Sequence, residues 1–85
     1  AALAYLELVR ARAAEARLEQ SRAVVREIAQ RVARRVEVGE APAVHQIRAE
    51  IEAERTDAQW RRAAAETRSR HATLNRLLGR APDAP

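Results

Sequence analysis

The fold is decided by the pentapeptide Val-Gly-Glu-Ala-Pro at residues 38–42, which interrupts an otherwise continuous helical pattern. Gly39 can adopt the left-handed conformation that closes a helix, and Pro42 suits the first turn of the next one. Both flanks are rich in Ala, Glu, Arg and Leu, which have high helix propensities. The sequence therefore predicts a long helix on each side of a tight turn.

A second stop ends the second helix at Gly79, which is followed by Pro82. The helices are predicted at about residues 2–38 and 42–79, with residues 81–85 as a tail or linker. Two helices of nearly equal length on so short a turn must lie antiparallel. The predicted fold class is therefore all-α, with a coiled-coil α-hairpin over residues 1–80.

The composition excludes most other kinds of small protein. The chain has no Cys, so disulfide scaffolds, thiolate metal sites and cysteine nucleophiles are excluded. Of its 40 hydrophobic residues 21 are Ala, which leaves too few large side chains to fill a compact core. No apolar run is long enough to span a membrane, so the chain itself is expected to be soluble.

No catalytic residue, cofactor or metal site is expected. Neither a nucleophile–base pair nor a pair of carboxylates converges on a pocket, and a hairpin has no pocket, so the protein is not predicted to be an enzyme. His45 and His71 would lie about 40 Å apart at the helical rise, and neither has a second ligand at helical spacing. Trp60 is expected to be a packing residue.

The charge pattern gives weak support to a nucleic-acid partner. All 16 basic residues are Arg and the net charge is +4, but Arg and Glu alternate along the chain. Such an alternation indicates solvated helix faces, and the densest basic cluster has no interleaved aromatic side chains for base stacking. No nucleic-acid partner is therefore predicted. The expected ion pairs four residues apart are Glu27/Arg31, Arg48/Glu52, Asp57/Arg61 and Glu66/Arg70.

Apolar residues recur every seven positions in both helices, which predicts left-handed supercoiling. The seam of the first helix is predicted at Ala4, Ala11, Leu18, Val25 and Val32, with Ala14, Ser21 and Ile28 between them, and the seam of the second at Val44, Ile51, Ala58, Ala65, Ala72 and Gly79. A second apolar stripe runs beside each seam, at Leu6, Val9, Ala13, Ala16 and Ala23 in the first helix and at Ala53, Trp60, Ala64, Leu74 and Leu78 in the second. One hairpin cannot cover both stripes, so it is expected to pack on further helices or to self-associate.

The turn and its flanks resemble the outer-membrane efflux proteins, the TolC-like channels of Gram-negative bacteria, and their heavy-metal branch most of all. The resemblance rests on four runs of sequence, which together extend over nearly the whole chain: Ala4–Leu8, Arg34–Pro42, Ala49–Glu50 and Leu74–Arg80. It covers one of the two helical hairpins that such channels carry. Because the first helix opens without a capping residue, the chain is interpreted as a fragment of a larger protein.

The resemblance implies a homotrimeric channel that spans the periplasm from the outer membrane and exports heavy metals or other cations. Its hairpin turns dock a periplasmic adaptor (membrane-fusion) protein, which links the channel to an inner-membrane RND pump. Carried over by position, the adaptor-binding tip comprises Val38, Gly39, Glu40, Ala41, Pro42 and His45.

The chain departs from the family where many members place Ser or Thr and then Asp after the turn glycine, because Pro42 and His45 occupy those positions. Glu40 is the residue expected to supply the missing negative charge. The alternative function is an antiparallel coiled-coil module that scaffolds a soluble complex.

Overall fold

The computed structural model describes all 85 residues and contains two helices, α1 (Ala2–Glu37) and α2 (Ala43–Leu77). They lie side by side in a rod that measures 60 × 17 × 16 Å. The prediction of an all-α hairpin is confirmed, and each predicted helix end lies within two residues of the observed one. No helix combines the length and the apolar character that crossing a membrane requires.

The two helices meet along one stripe of each, which we call the seam. Buried and half-buried residues recur at alternating steps of three and four along both helices, as in a heptad repeat. The seam of α1 comprises Ala4, Leu8, Ala11, Glu15, Leu18, Arg22, Val25, Ala29, Val32 and Val36. The seam of α2 comprises Gln46, Ala49, Ala53, Thr56, Trp60, Ala63, Thr67, Arg70 and Leu74.

The predicted seam of α1 is correct at its main positions, whereas that of α2 is wrong. Val44 and Ile51 belong to the heptad row that was predicted to face α1, yet they are 45% and 51% exposed. That row lies on the opposite side of the helix from the seam. In α1, Ser21 and Ile28 are also exposed rather than packed between the helices.

The charged side chains that flank the seam of α2 differ from those that flank its outward row. On the observed face, Asp57 of α2 pairs with Arg22 of α1, and Arg70 of α2 pairs with Glu7 of α1. The outward row is flanked by arginines such as Arg61 and Arg62, and facing them toward α1 would bring like charges together. The observed face therefore allows ion pairs between the helices, although the outward row has the somewhat greater apolar content.

Polar side chains within the buried set are all satisfied. Thr56 is only 5% exposed, and its hydroxyl donates to the carbonyl oxygen of Glu52 at 2.9 Å. Asn75 is 1% exposed, because the C-terminal residues fold back over it. Its amide donates to the carbonyl oxygens of Pro82 at 3.1 Å and Ala84 at 2.7 Å. These bonds remove the cost that an unpaired buried polar group would carry.

The outer faces of both helices stay uncovered. In α1 the second apolar stripe begins at Leu6 and Val9, which are 44% and 42% exposed, and every residue of that stripe is exposed as predicted. In α2 most of the predicted second stripe instead enters or borders the seam, with Leu78 left 49% exposed. The hairpin therefore uses one face of each helix and offers the other to solvent or to a partner.

Candidate functional site: the turn and the polar clamp

The turn closes α1 through a Schellman motif. Val38 is the C-cap that follows Glu37, and Gly39 comes next with φ of +80°. The amide of Gly39 donates to the carbonyl oxygen of Val36 at 3.1 Å, and that of Glu40 donates to Arg35 at 2.7 Å. These two bonds satisfy carbonyls that the helix end leaves free. A rigid, hydrogen-bonded turn therefore sits at one end of the rod.

Helix α2 begins without a capping side chain. Pro42 holds the N-cap position with φ −70° and ψ 149°, so it lies one residue before the predicted place in the first turn. Its carbonyl oxygen accepts the amide of His45 at 3.0 Å. The ring of Pro42 presets the backbone angle that a Ser or Thr cap would otherwise have to hold.

The six residues of the predicted tip all lie at this end of the rod. Ala41 is half-buried and the other five are exposed. Val38 is 62% exposed, and the neighbouring Val44 and Ile47 on α2 are 45% and 56% exposed. Glu40 makes no ion pair. The tip therefore presents apolar side chains and a free carboxylate.

A cluster of interhelical polar contacts, the central clamp, joins the middle of the rod. Asp57 accepts hydrogen bonds from Nε of Arg22 at 2.7 Å and from Nη2 of Arg26 at 2.5 Å. The bond from Arg22, followed by that from Arg26, holds the pKa of the Asp57 carboxyl below its ordinary value. One carboxylate of α2 thus binds two successive turns of α1 and opposes sliding of the helices.

Trp60 completes the central clamp one turn further along α2. Its Nε1 donates to Oε2 of Glu19 at 3.0 Å, and the guanidinium carbon of Arg22 lies 4.3 Å from the centre of its ring. The side chain is half-buried in the seam, which agrees with the prediction of a packing role. An arginine held between an aromatic face and a carboxylate is restrained on both sides.

A second interhelical pair lies toward the open end of the hairpin. Arg70 contacts Glu7 of α1 at 2.6 Å and Glu66 of its own helix at 2.7 Å. The predicted pairs Glu66/Arg70 and Glu27/Arg31 are confirmed, the latter at 2.8 Å. The other two do not form, because Asp57 is taken by α1 and Glu52 lies 3.7 Å from Arg55.

The central clamp was missed by sequence reasoning because charged residues were assigned to solvated faces. One signal was available: Arg22 and Arg26 are one turn apart, and Arg22 continues the row of Leu8 and Ala29 at intervals of seven. A charged residue at a heptad seam position needs a partner on the facing helix. That requirement points to the carboxylates of α2.

The rod has open surface grooves instead of an enclosed cavity. The largest, about 470 Å³, follows α1 near the tip and is lined by Glu27, Gln30, Arg31, Arg34 and Arg35. No three His, Cys, Asp or Glu side chains converge as a metal site would require. The exposed features that a partner could contact are the tip and the two outer faces.

Comparison of the chain with protein-family models, with curated proteins and with solved structures gave no match. The resemblance to efflux channels accordingly stays a prediction from the four runs of sequence described above.

Proposed function

We propose that this chain is a rigid structural hairpin of a larger helical assembly, which packs through its outer faces and presents its turn to a partner protein. The supporting observation is that the second apolar stripe of α1, from Leu6 to Ala23, is exposed, whereas the seam of α1 is covered by α2. A stripe of that length marks a protein contact. A rod 60 Å long with its turn at one end suits bridging between two partners.

In its specific form, the proposal makes the chain one periplasmic hairpin of a trimeric outer-membrane efflux channel for heavy metals or other cations. The tip, residues 38–42 with His45, then docks the periplasmic adaptor, which leads to an inner-membrane RND pump. The efflux-like motifs and the ordered turn at Gly39 support this assignment. The exposed Val38 and the free carboxylate of Glu40 provide the contact.

The test uses the full-length channel with Glu40→Lys at the tip and Asp83→Lys as a matched control. Asp83 is also exposed and free of ion pairs, but it lies beyond the end of α2, at the opposite end of the rod from the turn. We expect Glu40→Lys to abolish adaptor pull-down and metal resistance, and Asp83→Lys to preserve both. Unchanged pull-down and resistance in Glu40→Lys would refute the docking role.

A second candidate function is scaffolding of a soluble complex by an antiparallel coiled coil. The outward arginines of α2 favour it, since they suit a partner of different composition. The parent reading frame separates the candidates. A secretory signal, amphipathic β-strands and a second copy of this hairpin support the channel, and a parent with none of these supports the scaffold.

A further inference from the structure

The outer face of α2 carries a dense set of exposed arginines, which we call the basic face. Two carboxylates lie near them, those of Glu54 and Glu52. On the outer face of α1, by contrast, exposed arginines such as Arg10 and Arg17 border the second apolar stripe. The basic face comprises Arg48, Arg55, Arg61, Arg62, Arg68 and Arg76.

These arginines are not used by the hairpin. Of the six, only Arg55 lies within ion-pair distance of a carboxylate, that of Glu52 at 3.7 Å. The arginines that hold the fold together, such as Arg22 and Arg70, lie at the seam and are paired at 2.7 Å or less. Five of the six arginines of the basic face therefore have no carboxylate partner within the molecule.

The arginines flank the outward heptad row of α2 on both sides. Arg61 and Arg68 lie on one side of that row, and Arg55 and Arg62 on the other. An apolar row at sevenfold spacing between two charged rows is the pattern by which a coiled-coil helix selects its partner. The large apolar members of the row, Val44 and Ile51, lie toward the tip, and Ile47 lies beside them on the flanking row of Arg61; each is 45% exposed or more.

We infer that the basic face docks an acidic amphipathic helix of another protein, with its apolar seam on the outward row and its carboxylates against the arginines. The inference rests on the proposed role in a helical assembly and names the chemistry of one partner. A second copy does not suit this face, because an antiparallel pairing about Ala58 would set Arg61 against Arg55 and Arg68 against Arg48.

A nucleic acid suits the face less well. Phosphate binding would use the arginines, but it would leave Val44, Ile47 and Ile51 exposed to solvent. No aromatic side chain lies among the arginines to stack on a base. An amphipathic helix covers both the charge and the apolar row.

The test measures binding of the chain to a synthetic helical peptide of about four heptads, with Leu at the seam and Glu on both flanks. Mutual repulsion of its glutamates keeps this peptide from pairing with itself. A peptide with the same seam and Lys flanks serves as the ligand control. Fluorescence anisotropy of labelled peptide gives the dissociation constants.

The protein variants are Arg61→Glu/Arg68→Glu on the basic face and Arg10→Glu/Arg17→Glu on the outer face of α1. Both pairs are exposed, free of ion pairs and seven residues apart, and both change the net charge equally. We expect roughly tenfold weaker binding of the acidic peptide in the first variant and less than about threefold in the second. Circular dichroism verifies that both variants remain helical.

Three outcomes would overturn the inference. Equal weakening by both variants would mean that only net charge attracts the peptide. Tighter binding of duplex DNA with the same dependence on Arg61 and Arg68 would identify a polyanion surface instead. Conversion of a self-associated chain to monomer by Arg61→Glu/Arg68→Glu would assign the face to a second copy. Failure here leaves the Glu40→Lys experiment unaffected, since the tip and the basic face are tested by separate substitutions.

Discussion

Leu8→Ala tests the seam at its most buried apolar residue. Leu8 is 2% exposed, and among the buried residues it is the only large apolar one. Leu6, two positions earlier, is 44% exposed on the outer face. Both residues are leucines of α1, so they differ mainly in burial: the hairpin covers Leu8 and leaves Leu6 exposed.

The expected loss follows from the carbons removed. Leu→Ala deletes three carbon atoms, each worth about 0.8 kcal/mol when buried, and the unfilled space adds a smaller term. We therefore expect Leu8→Ala to lower the free energy of unfolding by about 2–3 kcal/mol. Leu6→Ala should cost under about 0.5 kcal/mol, because its side chain is already in water.

Urea unfolding followed by far-ultraviolet circular dichroism measures both values. The series should be repeated over a range of protein concentrations, because self-association through the outer face would add to apparent stability. Under dilute conditions Leu8→Ala should lose much of the cooperative transition, and Leu6→Ala should match the parent chain. Equal losses in the two variants, or a larger loss in Leu6→Ala, would show that the seam does not pass through Leu8.

Three further substitutions test the face of α2, the turn and the central clamp. Ala64→Glu should cost about 2 kcal/mol or more because Ala64 is 8% exposed, whereas Ala65→Glu on the exposed side should be neutral in the same urea assay. Gly39→Ala should cost about 1–2 kcal/mol, and Gly79→Ala a similar amount, because both backbones are left-handed with open space around them. Since the folded pKa of Asp57 lies below its unfolded value of about 3.9, its stabilisation is complete above that pH and is lost as the pH falls through the folded pKa. Asp57→Asn should remove this component of the acid dependence, measured as melting temperature against pH.

The turn was predictable because its chemistry is local. Gly39 takes the left-handed conformation that the Gly–Pro spacing required, and the bonds that close α1 involve residues at most five apart. Helix propensity and stop signals act over similar distances. The positions of the six tip residues at one end of the rod follow directly from these local features, although their role in docking is a proposal.

Periodicity alone could not predict which face of α2 packs on α1. Small and apolar residues recur every seven positions on the outward face as well as on the seam. The row with Val44 and Ile51 is the more apolar, yet Thr56 and Trp60 face α1. The spacing of apolar residues shows which face of one helix is the most apolar. It carries no information about the charges on the other helix. The central clamp, in which Asp57 meets Arg22 and Arg26, links residues more than 30 positions apart.

The amino-acid sequence by itself determined two helices, the turn at Gly39 and the antiparallel arrangement, since each depends on backbone preferences within a few residues. Only the tertiary structure decided which side of α2 is covered and which arginines are neutralised. Those outcomes depend on the charges that two helices bring together once they lie side by side. The same pairing turns the basic face of α2 outward and leaves all of its arginines except Arg55 without carboxylate partners.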